Sequence, residues 1–179
     1  SASTAGRADS PAAISSSGAY SLTKDGPYAA KLTGSNSYTG LTLVRDGWLE
    51  AETAYALGTT NSGTVVTNRG ILSLYGNFGI TNEPLTLSAH VPDWLANGGI
   101  LVSYTTGTNF WVGNITLEGD GGIGAEQPGS VLHIIGAISG SGDLYVPNDY
   151  GYGKGIVYFE GNSPNTYGGS TVVWDGTLI

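Results

Sequence analysis

A chain of 179 residues suits one domain; 40% hydrophobic content excludes a disordered polymer, and 30 glycines without a Gly-X-Y period exclude collagen. A net charge of −8, with the six basic residues scattered as Arg7, Lys24, Lys31, Arg45, Arg69 and Lys154, excludes an electrostatic nucleic-acid surface. No run approaches the ~20 apolar residues of a spanning helix, so no membrane insertion of this segment is expected; the lack of cysteine removes disulfides and thiolate chemistry.

Residues 1–19, rich in Ser, Ala and Gly, read as a flexible arm or linker, or as an arm that orders on a partner. Residues 20–179 have the texture of strands. Short alternating segments appear at Tyr20–Lys24, Ala30–Thr33, Leu41–Val44 and Trp48–Ala51, then at Thr64–Thr67, Ile71–Tyr75, Leu85–Ala89, Ile100–Tyr104 and Ile115–Glu118. Further segments follow at Val131–Ile135, Asp143–Val146, Ile156–Glu160 and Ser170–Trp174. Between them Glu52–Leu57 offers one helical turn, Val91–Gly99 reads as a longer loop, and Asp46-Gly47 and Asp175-Gly176 read as turns. Short strands punctuated by glycine allow an antiparallel β-sandwich or a parallel β-helix.

An internal repeat favours the second. Asn36-Ser37-Tyr38-Thr39-Gly40-Leu41-Thr42-Leu43-Val44-Arg45-Asp46-Gly47-Trp48-Leu49 returns as Asn165–Leu178 at a constant offset of 129 (165 − 36), with eight identities in fourteen positions. Asn36/Asn165, Tyr38/Tyr167, Gly40/Gly169 and Gly47/Gly176 are the structural positions of the motif. Upstream, Leu32-Thr33-Gly34 and Phe159-Glu160-Gly161 extend the copies to 32–49 and 159–178, with Ser163-Pro164 as an insertion in the turn. Coils of roughly 20–25 residues would give about seven or eight turns.

The pattern Leu-x-Gly-x-Asn-x-Tyr-x-Gly-x-Thr-x-Val-x-x-Gly-x-Leu resembles the autotransporter-associated β-strand repeat, also called the passenger-associated transport repeat, of secreted bacterial surface proteins. The resemblance runs from about Leu22 to the end, through segments such as Trp111–Leu117 and Ile135–Gly142. It implies a right-handed parallel β-helix at the cell surface or outside the cell, and it brings no catalytic residues.

The chemistry-bearing residues are sparse. Glu50 and Glu52 share one face of an extended strand, most simply a solvated one. Glu118–Gly124 has the flavour of a glycine-aspartate calcium turn, but tandem copies are missing. His90 and His133 lack zinc spacing; alternation groups His133 with Val131 and Ile135, as a satisfied core or groove histidine. Tyr145, Tyr150, Tyr152 and Tyr158, with Asn148 and Asp149 nearby, form the best ligand cluster, against the plainer reading of a structured loop. No catalytic, metal or cofactor-binding residue is assigned.

The function expected is that of a structural stalk or scaffold in a secreted or surface-anchored repeat protein, adhesive in some settings. The alternatives are a self-assembling filament subunit and a carbohydrate-binding module or polysaccharide-active β-helix enzyme. The partners expected are neighbouring repeats, other copies of the chain, or surface glycans.

Overall fold

The computed structural model describes residues 8–10, 14, 19–89, 100–147, 155–174 and 176–179. Three stacks of parallel strands enclose one lumen. The first face holds β2 (Leu22–Lys24), the start of β4 (Thr42–Ala51), the start of β5 (Thr64–Leu74), β7 (Leu85–Ser88), β10 (Ile115–Leu117) and β13 (Ile138–Gly140). The second holds β1 (Ala8–Ser10), β3 (Ala29–Leu32), the ends of β4 and β5, β8 (Ile100–Ser103), β11 (Gly121–Ala125), β14 (Leu144–Val146) and β16 (Thr171–Val173). The third holds β6 (Gly79–Ile80), β9 (Gly107–Trp111), β12 (Ser130–Ile134), β15 (Ile156–Phe159) and β17 (Thr177–Leu178).

Because β4 and β5 run across the first corner, the first two faces form one bent 12-stranded sheet, and the third is a separate 5-stranded sheet. Every strand ladder is parallel; the antiparallel contact among the described residues is the isolated bridge of Ala89 with Asp120. The fold is therefore an all-β parallel solenoid, and the antiparallel sandwich is not supported.

Register counts the turns. Leu22, Thr42, Thr64, Leu85, Ile115 and Ile138 stand in one column, so five turns take 20, 22, 21, 30 and 23 residues (42 − 22, 64 − 42, 85 − 64, 115 − 85, 138 − 115). A sixth brings Thr166 over Ile138, whose carbonyl accepts the Thr166 N–H at 2.8 Å. The chain makes about six turns rather than seven or eight. The shortfall comes from the stretches between Ser88 and Ile100 and between Val146 and Ile156, which lengthen two turns without adding strands.

Alternation places the inward residues in columns. Val44, Val66, Leu87 and Leu117 line the first face, Leu49, Leu72, Leu101 and Ile123 the second, Ile80, Trp111 and Ile134 the third. Each such aliphatic side chain, wholly removed from water, contributes about 1.5–3 kcal/mol. Ile71, Ile100 and Val102 form a second buried cluster on the opposite side of that sheet from Leu72 and Leu101, with Trp48 and Tyr104 packed against it.

Several sequence expectations shift. Asp46-Gly47 does not end a strand: β4 passes through it, with a register slip between Val44 and Asp46 and Gly47 at φ 68°. That left-handed residue bends one strand from the first face to the second. Among residues 1–19, Ala8–Ser10 form β1 beside β3, and Ile14 packs on the lumen. Glu52–Leu57 contains a single turn, in which the Ala56 N–H donates to Thr53 O at 3.2 Å. The glycine-rich β11 was not expected as a strand. A Cβ on Gly122 would lie 2.2 Å from Ile100 Cγ2, so the outer side of β11 has room only for glycine there. Val91–Gly99 and His90 lie outside the described residues.

Candidate functional site

The repeated motif is a corner, built from side chains that close backbone groups between coils. In the first copy Asn36 Oδ1 accepts the Ile14 N–H at 2.7 Å from the coil on one side, while its Nδ2 donates to Ala56 O at 2.5 Å on the other. Tyr38 turns inward and hydrogen-bonds Thr42 Oγ1 at 2.7 Å across the turn. Burial pushes the Tyr38 phenol up to about 12, with the nearby Glu83 charge acting in the same direction and Thr42 against it. Gly40 sits so close to the preceding coil that a Cβ would lie 2.5 Å from Tyr20 O.

The second copy repeats these contacts atom for atom. Asn165 Oδ1 accepts the Ile138 N–H at 2.8 Å, and Tyr167 Oη is hydrogen-bonded to Thr171 Oγ1. A Cβ on Gly169 would lie 2.3 Å from Gly142 O, and one on Gly176 2.8 Å from Val146 Cγ1. Asp175 lies outside the described residues.

The two copies do not sit on the same corner. Thr42–Val44 pair with β5 on the first face, whereas Thr171–Val173 pair with β14 on the second. Likewise Trp48–Ala51 belong to the second face and Thr177–Leu178 to the third. The offset of 129 residues is thus five turns plus one face. The motif specifies a way of turning a corner, independent of which corner is turned.

Buried polar groups behind the first copy were not singled out by sequence. Lys24, 3% exposed, donates from Nζ to Asp25 O at 3.1 Å, Gly26 O at 2.6 Å and Asp46 O at 2.8 Å, closing the carbonyls of the first corner. Burial lowers its ammonium pKa, opposed by Asp46 and Asp25. Glu83, 2% exposed, accepts from Thr64 Oγ1 at 2.8 Å; burial pushes its carboxyl up to about 7 despite that bond. The signal that could find Glu83 is its place two residues before the inward Leu85, at the mouth of a corner.

The remaining candidates resolve as follows. Tyr145 lies on β14 and Tyr158 on β15, so the structure places them in different sheets; Tyr150 and Tyr152 lie outside the described residues. Tyr145 sits near Asp120 and Asp143, and burial first, then those charges, raises its pKa. Glu50 and Glu52 both grip Lys31, at 3.0 Å each, and Lys31 stands 4.9 Å over the Tyr75 ring. The hydrogen bond from Glu52, then that from Glu50, raises the Lys31 pKa. The acid pair is a salt-bridge clamp joining coils.

His133 does align with Val131 and Ile135, but on the outer side of β12, since Leu132 and Ile134 face the lumen. Its ring stacks between Phe110 and Tyr158, at 4.8 and 4.9 Å between centroids, and Nδ1 is 2.7 Å from Glu160 Oε2. The three rings stack along the coil axis, so their edges rather than their faces meet solvent. Asp120, in the glycine-aspartate stretch, accepts the Asp143 N–H at 3.0 Å, and Asp143 in turn accepts that of Ser170 at 2.6 Å. Among the described residues no group of three or more His, Cys, Asp or Glu is placed to hold a metal ion.

A family model described as Passenger-associated-transport-repeat matches residues 22–51 and 153–179. These are the two motif copies with their flanking strands, β2 to β4 and β15 to β17. No curated protein and no solved structure matches the chain.

Proposed function

With two copies of the passenger-associated-transport repeat as the premise, we propose that the chain is a stalk segment of a secreted or surface-exposed bacterial passenger. Its work is mechanical rather than catalytic, its winding is right-handed, and its partners are neighbouring coils of the same kind. The observation that carries this reading is the unbroken register of the first face, from Leu22 through Ile138. Each coil hydrogen-bonds the next along its backbone, so the array resists bending and stretching with little specialised chemistry.

Single-molecule pulling on the chain tests the proposal. A stalk releases turns in steps of roughly 70–100 Å, one coil of 20–30 residues at about 3.5 Å each. Smooth extension at the forces of an unstructured chain would rule the role out.

A further inference from the structure

On the third side of the early coils the strand stack is thin. β6 has two residues, and the preceding coil crosses that side as the turn around Ala54–Leu57. The gap leaves a cavity of about 360 Å³ between the second and third coils, within the size range of small-ligand sites. Tyr55, Thr59, Thr60, Thr81, Asn82 and Glu83 supply its chemistry.

Three observations separate it from a packing gap. Thr59 Oγ1 is shielded from solvent and has no hydrogen-bond partner, a condition that costs about 1–3 kcal/mol unless a ligand or water meets it. Asn82 adopts φ 58°, the one non-glycine residue with positive φ among those described. Strain of this kind, held at the rim of a polar cavity, points to function. Tyr55, in contrast, stands 66% exposed at the mouth, although the lumen beneath could have absorbed an apolar ring.

The lining also selects a ligand class. None of the lining residues is basic, so an anion has no counter-charge. Glu83 is the single carboxyl, and one carboxyl with hydroxyls does not make a cage for a divalent cation. Hydroxyls, an amide and a carboxyl would be left unpaired by an acyl chain. A neutral ligand rich in hydroxyl groups, with one apolar face for the Tyr55 ring, matches every group present. We propose that this cavity is a carbohydrate site that takes a single neutral sugar residue: Tyr55 covers the apolar face of the ring, and Thr59, Asn82 and Glu83 hydrogen-bond its hydroxyls. The site is separate from the aromatic column of Phe110, His133 and Tyr158, whose buried ring faces offer a sugar only edges. It stands whether or not the chain bears load.

Saturation-transfer NMR with the methyl glycosides of glucose, galactose, mannose, N-acetylglucosamine and N-acetylgalactosamine decides the matter. At least one should receive saturation from the intact chain, and Tyr55→Ala should weaken its binding about tenfold. Thr59→Val should weaken it too, while Tyr145→Phe, on another face, should leave it unchanged. Because Tyr55 is exposed, Tyr55→Ala should keep the wild-type unfolding midpoint; if it unfolds instead, Tyr55→Leu, which keeps an apolar group and removes the ring, carries the test. Absence of binding to all five glycosides, or binding that survives both the Tyr55 and Thr59 changes, overturns the proposal.

Discussion

Tyr38 and Tyr167 make the same hydrogen bond to a threonine four residues on, in settings that differ in almost everything else. Tyr38 is 1% exposed, and its corner has coils on both sides, with Ile14 below and Ala56 above. Tyr167 is half-buried over β13, and the residues around it are open to solvent. Val44 is fully buried where its counterpart Val173 is 49% exposed. One set of local contacts therefore forms on two different corners, with and without a covering coil. The turn geometry belongs to the motif, while most of its stabilisation comes from stacking. In a solenoid with nearest-neighbour energetics this is the expected division: each coil contributes little alone and much through its interfaces.

The largest predicted effect lies at the end of the motif. Leu49 is 1% exposed in the lumen, so Leu49→Ala should cost about 2–5 kcal/mol in urea unfolding. Leu178→Ala, at the matching but half-buried position, should cost less than about 1.5 kcal/mol. Equal losses would mean that the second copy is covered in solution as fully as the first, and the contrast would collapse.

Glu83 sharpens the contrast through pH, because its charge acts on Tyr38. Its folded carboxyl, near 7, lies above the ordinary 4.5. Between those values the folded state keeps a proton that the unfolded state has lost, so stability falls as pH rises across that window, by about 3 kcal/mol. Below the lower value both states are protonated and the dependence ends. Glu83→Gln keeps a partner for Thr64 and should flatten the profile measured from about pH 4.5 to about pH 8. A profile that keeps its slope in Glu83→Gln would place the titrating group elsewhere.

Much of this was legible from the chain alone, and the reasons for the rest are physical. The motif was readable because its key bond is local: Tyr38 and Thr42 are four residues apart, so the pair travels together in sequence. The alternating segments revealed inward columns such as Leu72 and Leu74 for the same reason. The rotation of the second copy by one face was not readable, since an offset of 129 carries no mark of which sheet a strand joins. The coil count was missed because the residues between Ser88 and Ile100 lengthen a turn silently. β11 was missed because its glycines answer a neighbour, Ile100, that lies 22 residues away in sequence and directly beside it in space. Lys24 and Glu83 were missed because a buried charge is recognised by its partners, here Asp46 O and Thr64 Oγ1, not by its own flanks.

The smallest predicted effect isolates the hydrogen bond itself. Tyr38→Phe keeps the ring and removes the hydroxyl, leaving Thr42 Oγ1 with only the weak, 3.5 Å contact to Leu57 O in a site closed to water. It should cost about 1–3 kcal/mol. Tyr167→Phe removes the same atom where Thr171 is exposed and water replaces the partner, so its cost should be under about 0.5 kcal/mol. Thr42→Val and Thr171→Val complete two double-mutant cycles, whose coupling energies separate the bond from the burial of its partners. A large coupling at 38/42 with little at 167/171 means that the corner is stabilised by the coil that covers it. Equal couplings would mean instead that the tyrosine–threonine bond holds the corner on its own, before the next coil arrives. In that case the motif would act as a local folding nucleus, and the uncovered copy would be as rigid in hydrogen exchange as the covered one.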